Sequence, residues 1–214
     1  MKNLSLDNTA LAGLLRAVAA GLEGHTEEIR ELDARVGDGD LGVTVGLMAQ
    51  ALRDFAGSNQ ETDIGRLLMQ CGLAVNRANP STFGTIIASG FMGGGKALAG
   101  RTSVGLDDWV VIGEAAIESM QSRGKASLGD KTLLDALVPA VAALERERDA
   151  GSDEKTAVQA AVKACQEGME ATVAMVAKCG KARVFQEKSV GVQDGGATAM
   201  YYMLKAAADY IEEL

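Results

Sequence analysis

From Asp153 to Lys178 the apolar residues Val158, Ala161, Val162, Cys165, Met169, Val173 and Val176 return at spacings of three and four, with Ser152 placed to cap the start. A chain built this way must bury helix faces against other helix faces. The pattern recurs from Lys131 to Arg148 as Leu134, Leu137, Val138, Val141 and Leu144, and again at Met200, Leu204, Ala207, Ala208 and Ile211. Pro139 falls inside the second stripe and is expected to kink it or mark an irregularity. Earlier helices are predicted at about 5–23, 26–35, 41–56, 63–77, 81–98 and 107–123, the last capped by Asp107 or Asp108. Short Gly-containing joints at Gly57-Ser58-Asn59 and Gly100 to Gly105 favour antiparallel neighbours. Composition agrees: Ala, Leu, Met, Glu and Lys are abundant, while Pro numbers 2 and aromatics make up 4%. The prediction is one all-α bundle spanning 1–214, with no internal repeat or linker.

Several function classes drop out early. The net charge is −8 and no Lys/Arg run stands out, which argues against nucleic acid and anionic membrane as partners. No segment has the length and apolar character of a membrane span, and no cleavage pattern follows the apolar-rich Leu11 to Leu22, so a soluble cytoplasmic protein is expected. Cys71, Cys165 and Cys179 lack CxxC spacing and read as small buried hydrophobes in a reducing compartment. His25 is the single histidine, so neither a Ser-His-Asp triad nor a His-rich zinc site can be built. It reads as structural or exposed at a helix junction.

Three stretches break the helical pattern: Val36 to Gly42, Gly124 to Asp130, and Lys181 to Gly196. Long polar connectors in a bundle are where function tends to sit, and the simplest geometry gathers them at one end. In the first, Leu32-Asp33-Ala34-Arg35-Val36-Gly37-Asp38-Gly39-Asp40-Leu41-Gly42, three carboxylates fall close together among glycines. On an unbroken helix Asp38 would point about 140° from Asp33. Gly37 and Gly39 can break the helix and let all three converge, and converging carboxylates repel unless cations neutralise them. Oxygen ligands alone select magnesium, manganese or calcium, and sharing with phosphates suits magnesium. An exposed acidic turn with Asp40 capping the next helix is the competing reading.

Around the second stretch, Ser122-Arg123-Gly124-Lys125 and Gly129-Asp130-Lys131-Thr132-Leu133-Leu134-Asp135 precede a clear helix whose first amides can meet an anion or an adenine edge. Asp130 as a plain N-cap competes. The third holds Gly180-Lys181-Ala182-Arg183, Glu187-Lys188-Ser189 and Gln193-Asp194-Gly195-Gly196-Ala197-Thr198, able to hold phosphate or to be a solvated loop. Asn76 to Thr85 reads as a loop entering a helix near Pro80. Gly93-Gly94-Gly95-Lys96 looks like a phosphate loop but lies within a helical pattern, where close helix packing is expected.

Taken together, these strings resemble the L-subunit (nucleotide-binding) family of dihydroxyacetone kinases over essentially the whole chain. The carriers are Leu-Asp-x-x-Val-Gly-Asp-Gly-Asp-x-Gly at 32–42, Ser-Arg-Gly-Lys-Ala with Gly-Asp-Lys-Thr-Leu-Leu-Asp-Ala-Leu-x-Pro at 122–139, and Glu-Lys-Ser-x-Gly with Gln-Asp-x-Gly-Ala-Thr at 187–198. The resemblance implies a closed barrel of about eight antiparallel amphipathic helices with the nucleotide at one end. It implies that Asp33, Asp38 and Asp40 hold two Mg2+ ions bridging the phosphates of ADP or ATP, with Lys181 beside them in catalysis. The nucleotide site it implies comprises Gly37, Gly39, Leu41, Thr44, Asn79, Pro80, Ser81, Gly129, Thr132, Leu133, Lys181, Asp194 and Gly195. Three departures stand out: Leu41 replaces the family's usual His, Asn76 to Pro80 replaces Gly-Gly-x-Ser-Gly, and Asp194-Gly195-Gly196 replaces Asp-Pro-Gly.

The implied activity is transfer of a phosphoryl group to a short ketose held on a separate sugar-binding subunit, where a histidine captures the carbonyl. The donor is either exchanging ATP or a held ADP recharged by a phosphocarrier protein, and a homodimer is left open. A nucleotide-sensing or adaptor module that keeps the metal site without transfer is the alternative.

Overall fold

The computed structural model describes residues 4–214. In chain order it contains β1 (Leu6–Asp7), α1 (Asn8–Glu23), α2 (Thr26–Val36), α3 (Leu41–Ser58), α4 (Ile64–Ala78), α5 (Thr82–Ala97), β2 (Ser103–Val104), α6 (Leu106–Gly124), α7 (Leu134–Asp149), α8 (Glu154–Ala171) and α9 (Gly195–Glu213). Short 3-10 segments occupy Thr172–Ala174 and Lys181–Ser189. The two strands, which periodicity did not predict, pair antiparallel with Leu6 opposite Val104.

Eight helices close a ring: α1, α3, α4, α5, α6, α7, α8 and α9 each pack on the next, and α9 returns to α1. The remaining helix, α2, lies across α3 and α9. Cross-helix contacts show that neighbours run antiparallel. Arg16 donates to the Ala56 carbonyl while Arg53 pairs with Glu23. Gly65 packs on Gly95 and Gly72 on Ala88, and Lys155 reaches the Glu212 carbonyl. Alternation therefore places the connections at 37–40, 79–81, 125–133 and 172–194 together at one end, as the sequence suggested. The short joints at 59–63, 98–105 and 150–153 lie at the other.

The predicted stripes face the ring's interior. Ala161, Cys165 and Met169 of α8 are buried, as are Leu134, Leu137 and Val141 of α7 and Met200, Ala208 and Ile211 of α9. Each large aliphatic enclosed this way contributes about 1.5–3 kcal/mol. An apolar cavity of about 220 Å³ remains inside the ring. Gly93, Gly94 and Gly95 are helical in α5 and meet Ser119, Ile112 and Gly65, so they serve close packing as expected. Pro139 sits inside α7 without ending it. Its missing N–H leaves the Asp135 carbonyl without a helical partner, and Gly168 of α8 seats against that oxygen, where a methyl group would collide.

Some local expectations are corrected. Helix α8 stops at Ala171 rather than Lys178, because Thr172 turns the chain: its hydroxyl donates to the Met169 carbonyl and accepts the Asp194 amide. Val173 is consequently exposed. Asp153, not Ser152, caps α8 by accepting from the Thr156 amide, while the Ser152 hydroxyl donates to Glu147. Asp107 and Asp108 lie inside α6; Asp108 reaches back to accept from the amide of Gly105, which occupies the cap. Cys71 and Cys165 are buried in helices, but Cys179 is only half-buried and lies in a loop. His25 is structural, its Nδ1 2.8 Å from the Gly21 carbonyl and its ring stacked at 3.5 Å on Tyr202. Among the described residues no helix is long and apolar enough to cross a membrane.

Candidate functional site

The acidic turn is assembled by its glycines. Helix α2 ends at Val36, and Gly37 passes so close over Asp33 that a β-carbon there would strike the carboxylate. Gly39 takes φ +75, a left-handed conformation that glycine adopts without steric cost. The result brings one carboxylate oxygen each from Asp33, Asp38 and Asp40 within 4.8 Å of one another. Asp33 accepts the Leu41 amide at 3.2 Å, and burial pushes its carboxyl above the usual carboxylate range. Asp40 occupies the position before α3 but makes no capping bond. The turn is therefore more than a helix cap.

Across the ring end, Lys181 places its Nζ 2.6 Å from a carboxylate oxygen of Asp38 and 2.6 Å from one of Asp40. These hydrogen bonds hold Asp38 below its ordinary range and Lys181 above its own. One ammonium against three ionised carboxylates leaves the cluster net negative. The donor set is all oxygen and already convergent, so it fits a hard divalent cation.

Beside this cluster opens a cleft of about 610 Å³. Of the residues expected from the sequence, Asp33, Asp40, Leu41, Thr44, Pro80, Ser81, Thr132, Leu133, Lys181 and Asp194 line it. Ser81 caps α5 by accepting the Gly84 amide at 3.0 Å, and Asn79 sits behind Thr44, donating to its hydroxyl at 3.0 Å. Asp194 caps α9 by accepting the Ala197 amide at 2.7 Å, and burial pushes its carboxyl up to about 6. Gly37, Asp38, Gly39 and Asn79 adjoin the lining, and Gly129 and Gly195 have partners within the chain. The Gly129 amide donates to Asp135. Gly195 is buried against Leu41 and close to the Asp33 side chain, where it serves packing. Asp130 does not cap α7; its carboxylate accepts the Ser127 amide and pairs with Lys178.

The structure gives individual roles to residues that the sequence reading placed only within segments, such as Phe83, Lys131 and Asp135, and adds others. Phe83, Ile86 and Ala126 supply apolar wall, and Cys179 and Lys131 also line the cleft. Asp135 accepts from the amides of Gly129 and Thr132 and so organises the turn entering α7. The spacing Thr132-x-x-Asp135 resembles a capping box and could have revealed it. Lys131 had no such signal, because its partners lie 44, 58 and 61 residues away.

Comparison with known proteins shows the family and the fold. A subunit named "PEP-dependent dihydroxyacetone kinase 2, ADP-binding subunit DhaL" from Listeria innocua is 28% identical over 100% of this chain and 99% of its own length. The Escherichia coli "PEP-dependent dihydroxyacetone kinase, ADP-binding subunit DhaL" is 26% identical over 96% of this chain and 98% of its own. The dihydroxyacetone kinase of C. freundii, solved with AMP-PNP and Mg2+, shares the fold at a TM-score of 0.75 and 24% identity; the match spans 97% of this chain and 35% of that longer one. The family model of the DAK2 domain matches residues 35–209. The chain belongs to the DAK2 domain family and, with it, to the L-subunit family of dihydroxyacetone kinases that its motifs resemble.

Proposed function

We propose that this chain, acting as one domain over 1–214, is the nucleotide-binding phosphotransferase subunit of a dihydroxyacetone-type kinase of the cytoplasm. It takes ADP or ATP with magnesium into the cleft and passes a phosphoryl group to a short ketose presented by a separate sugar-binding subunit. The observation that carries this reading is the convergence of Asp33, Asp38, Asp40 and Lys181 beside a cleft of nucleotide size.

When bound, two magnesium ions on Asp33, Asp38 and Asp40 would supply charge neutralisation for the polyphosphate and the transferred group. The protein's own part is positioning and electrostatics. Lys181 is exposed, next to the carboxylates, and able to offer its ammonium to developing charge. The first turn of α5 beyond Ser81 and the hydroxyl of Thr44 offer polar contacts, while Phe83, Ile86 and Leu133 give an apolar wall suited to a base. The single histidine, His25, is stacked on Tyr202 and absent from the cleft lining, which supports a partner that holds the ketose. The full-length relatives are named PEP-dependent and ADP-binding, which favours a held ADP recharged by a phosphocarrier protein over exchanging ATP.

Calorimetry with ADP and ATP, with and without magnesium, tests the binding half. Label transfer to dihydroxyacetone in the presence of a sugar-binding subunit, from γ-labelled ATP or from labelled PEP through a phosphocarrier, tests the rest. Absence of magnesium-dependent nucleotide binding defeats the reading. Binding without transfer from either donor leaves a nucleotide-sensing module instead.

A further inference from the structure

Lys131 is the largest fully enclosed side chain among the described residues, at 1% exposure. Its backbone sits at φ +61, in the left-handed region that residues with a β-carbon seldom adopt. Strain of this kind persists only where surrounding structure imposes it. Burial also depresses the basicity of the amine, with Asp194 the nearby charge that opposes this.

The imposing structure is a set of three carbonyls. The Lys131 ammonium donates to the backbone oxygens of Met175 at 3.1 Å, Ser189 at 2.6 Å and Val192 at 2.6 Å. Lysine has three donor hydrogens, so none remains for a ligand. The acceptors bracket Lys181 in the chain: one precedes it and two follow it. Between them the arm is a 3-10 segment at Lys181–Ser189, interrupted at Gln186, flanked by irregular backbone. It has positive φ at Gly180 and Gln186; Ser189 ties it internally, its hydroxyl donating to the Gln186 carbonyl and accepting the Ala177 amide, and the Lys178 and Gly191 amides also tie it to the carbonyls of Asp130 and Val173.

We propose that Lys131 is a positioning residue whose buried ammonium clamps both ends of the 175–192 arm and thereby holds Lys181 against Asp38 and Asp40. The clamp stands on geometry alone. Its effect on nucleotide handling rests on the function proposed above.

The test combines amide hydrogen exchange with calorimetric titration of Mg-ADP. The variants are Lys131→Gln, Lys131→Met, Lys181→Met and the Lys131→Gln/Lys181→Met pair. In Lys131→Gln, protection across 175–192 is expected to fall by about tenfold or more while α1, α4 and α7 keep theirs. Mg-ADP affinity is expected to fall about tenfold in the parent and less than about twofold when Lys181 is already Met. Unchanged protection of the arm, loss spread evenly over the helices, or equal affinity losses in both backgrounds overturns the proposal. Should Lys131→Met fail to fold, the glutamine variant decides. If the parent itself binds no Mg-ADP, the proposed function falls and the exchange pattern alone judges the clamp.

Discussion

Replacing Asp194 by Asn should stabilise the ligand-free protein at neutral pH and remove a specific part of its pH dependence. Asp194 caps α9 with its carboxylate on the Ala197 amide, but burial pushes that carboxyl from an ordinary 3.8 to about 6. Asp135 adds to the rise, while the capping amides and Lys131 oppose it. Because the folded value exceeds the unfolded one, the unfolded chain gives up this proton first. The group's stabilisation is complete below about pH 3.8, declines as pH rises toward 6, and stays lost above that. The difference corresponds to at most about 3 kcal/mol, an upper bound because cleft water reaches the carboxyl. Asn keeps an oxygen for the Ala197 amide and caps as well as Asp does. The favourable helix-terminal charge and the attraction of Lys131 that Asn gives up are already contained in the net rise to about 6, so only the discount for water in the cleft applies. Asp194→Asn should therefore gain about 1–2 kcal/mol at neutral pH, shrinking to near zero by about pH 4. Urea unfolding followed by circular dichroism, without nucleotide or divalent ions, reads this as a difference between two proteins, so other titrating groups cancel. A difference that does not vary with pH, or a variant less stable at neutral pH, refutes the reasoning.

Asp38→Asn should weaken magnesium-dependent ADP binding by about tenfold or more, equivalent to about 1.4 kcal/mol per decade, and should be silent once magnesium is chelated. Calorimetry with and without chelator reads both, and equal loss in the two conditions refutes the metal role. Gly168→Ala puts a methyl group onto the Asp135 carbonyl oxygen, so α7 and α8 must part, at about 1–3 kcal/mol. An unchanged melting temperature would show that this contact is not tight. Cys179, half-buried at the cleft, should react with an aromatic disulfide and be shielded by Mg-ADP. Cys71 and Cys165 are buried, and burial pushes the Cys165 thiol up to about 12 and Cys71 further in the same direction, so both should resist until urea is added. Equal reaction of all three in the native state contradicts this.

The helices were legible because their cause is local. Each long helix was identified, by spacings of three and four in α7, α8 and α9, and Gly100 to Gly105 was recognised as a joint; Gly57 and Ser58 instead complete α3, and the joint begins at Asn59. Boundaries slipped where a distant partner intervenes. Thr172 ends α8 early because the Asp194 amide bonds to its hydroxyl, 22 residues away in sequence. The acidic turn was legible for the same local reason: Gly37 and Gly39 stand between the carboxylates and permit the sharp reversal that brings them together. Gly129 and Gly195 were placed near a ligand by resemblance; within the chain the Gly129 amide bonds to Asp135 and Gly195 packs against Leu41. A motif marks a neighbourhood; it does not say which way an amide points.

By itself the amino-acid sequence determined an all-helical chain, the inward face of each helix, the breaks where polar loops emerge, and a trio of carboxylates able to share cations. These follow from 3.6-residue periodicity and glycine's freedom, which act over a few residues. Only the tertiary structure decided which helices neighbour one another around the ring and that the ring closes through α9 and α1. It alone decided that Lys181 crosses 141 and 143 residues of sequence to meet Asp40 and Asp38, and that Lys131 is enclosed beneath the arm that carries it there. Such contacts depend on how eight packed helices fill space around a shared core, and no local spacing encodes that arrangement.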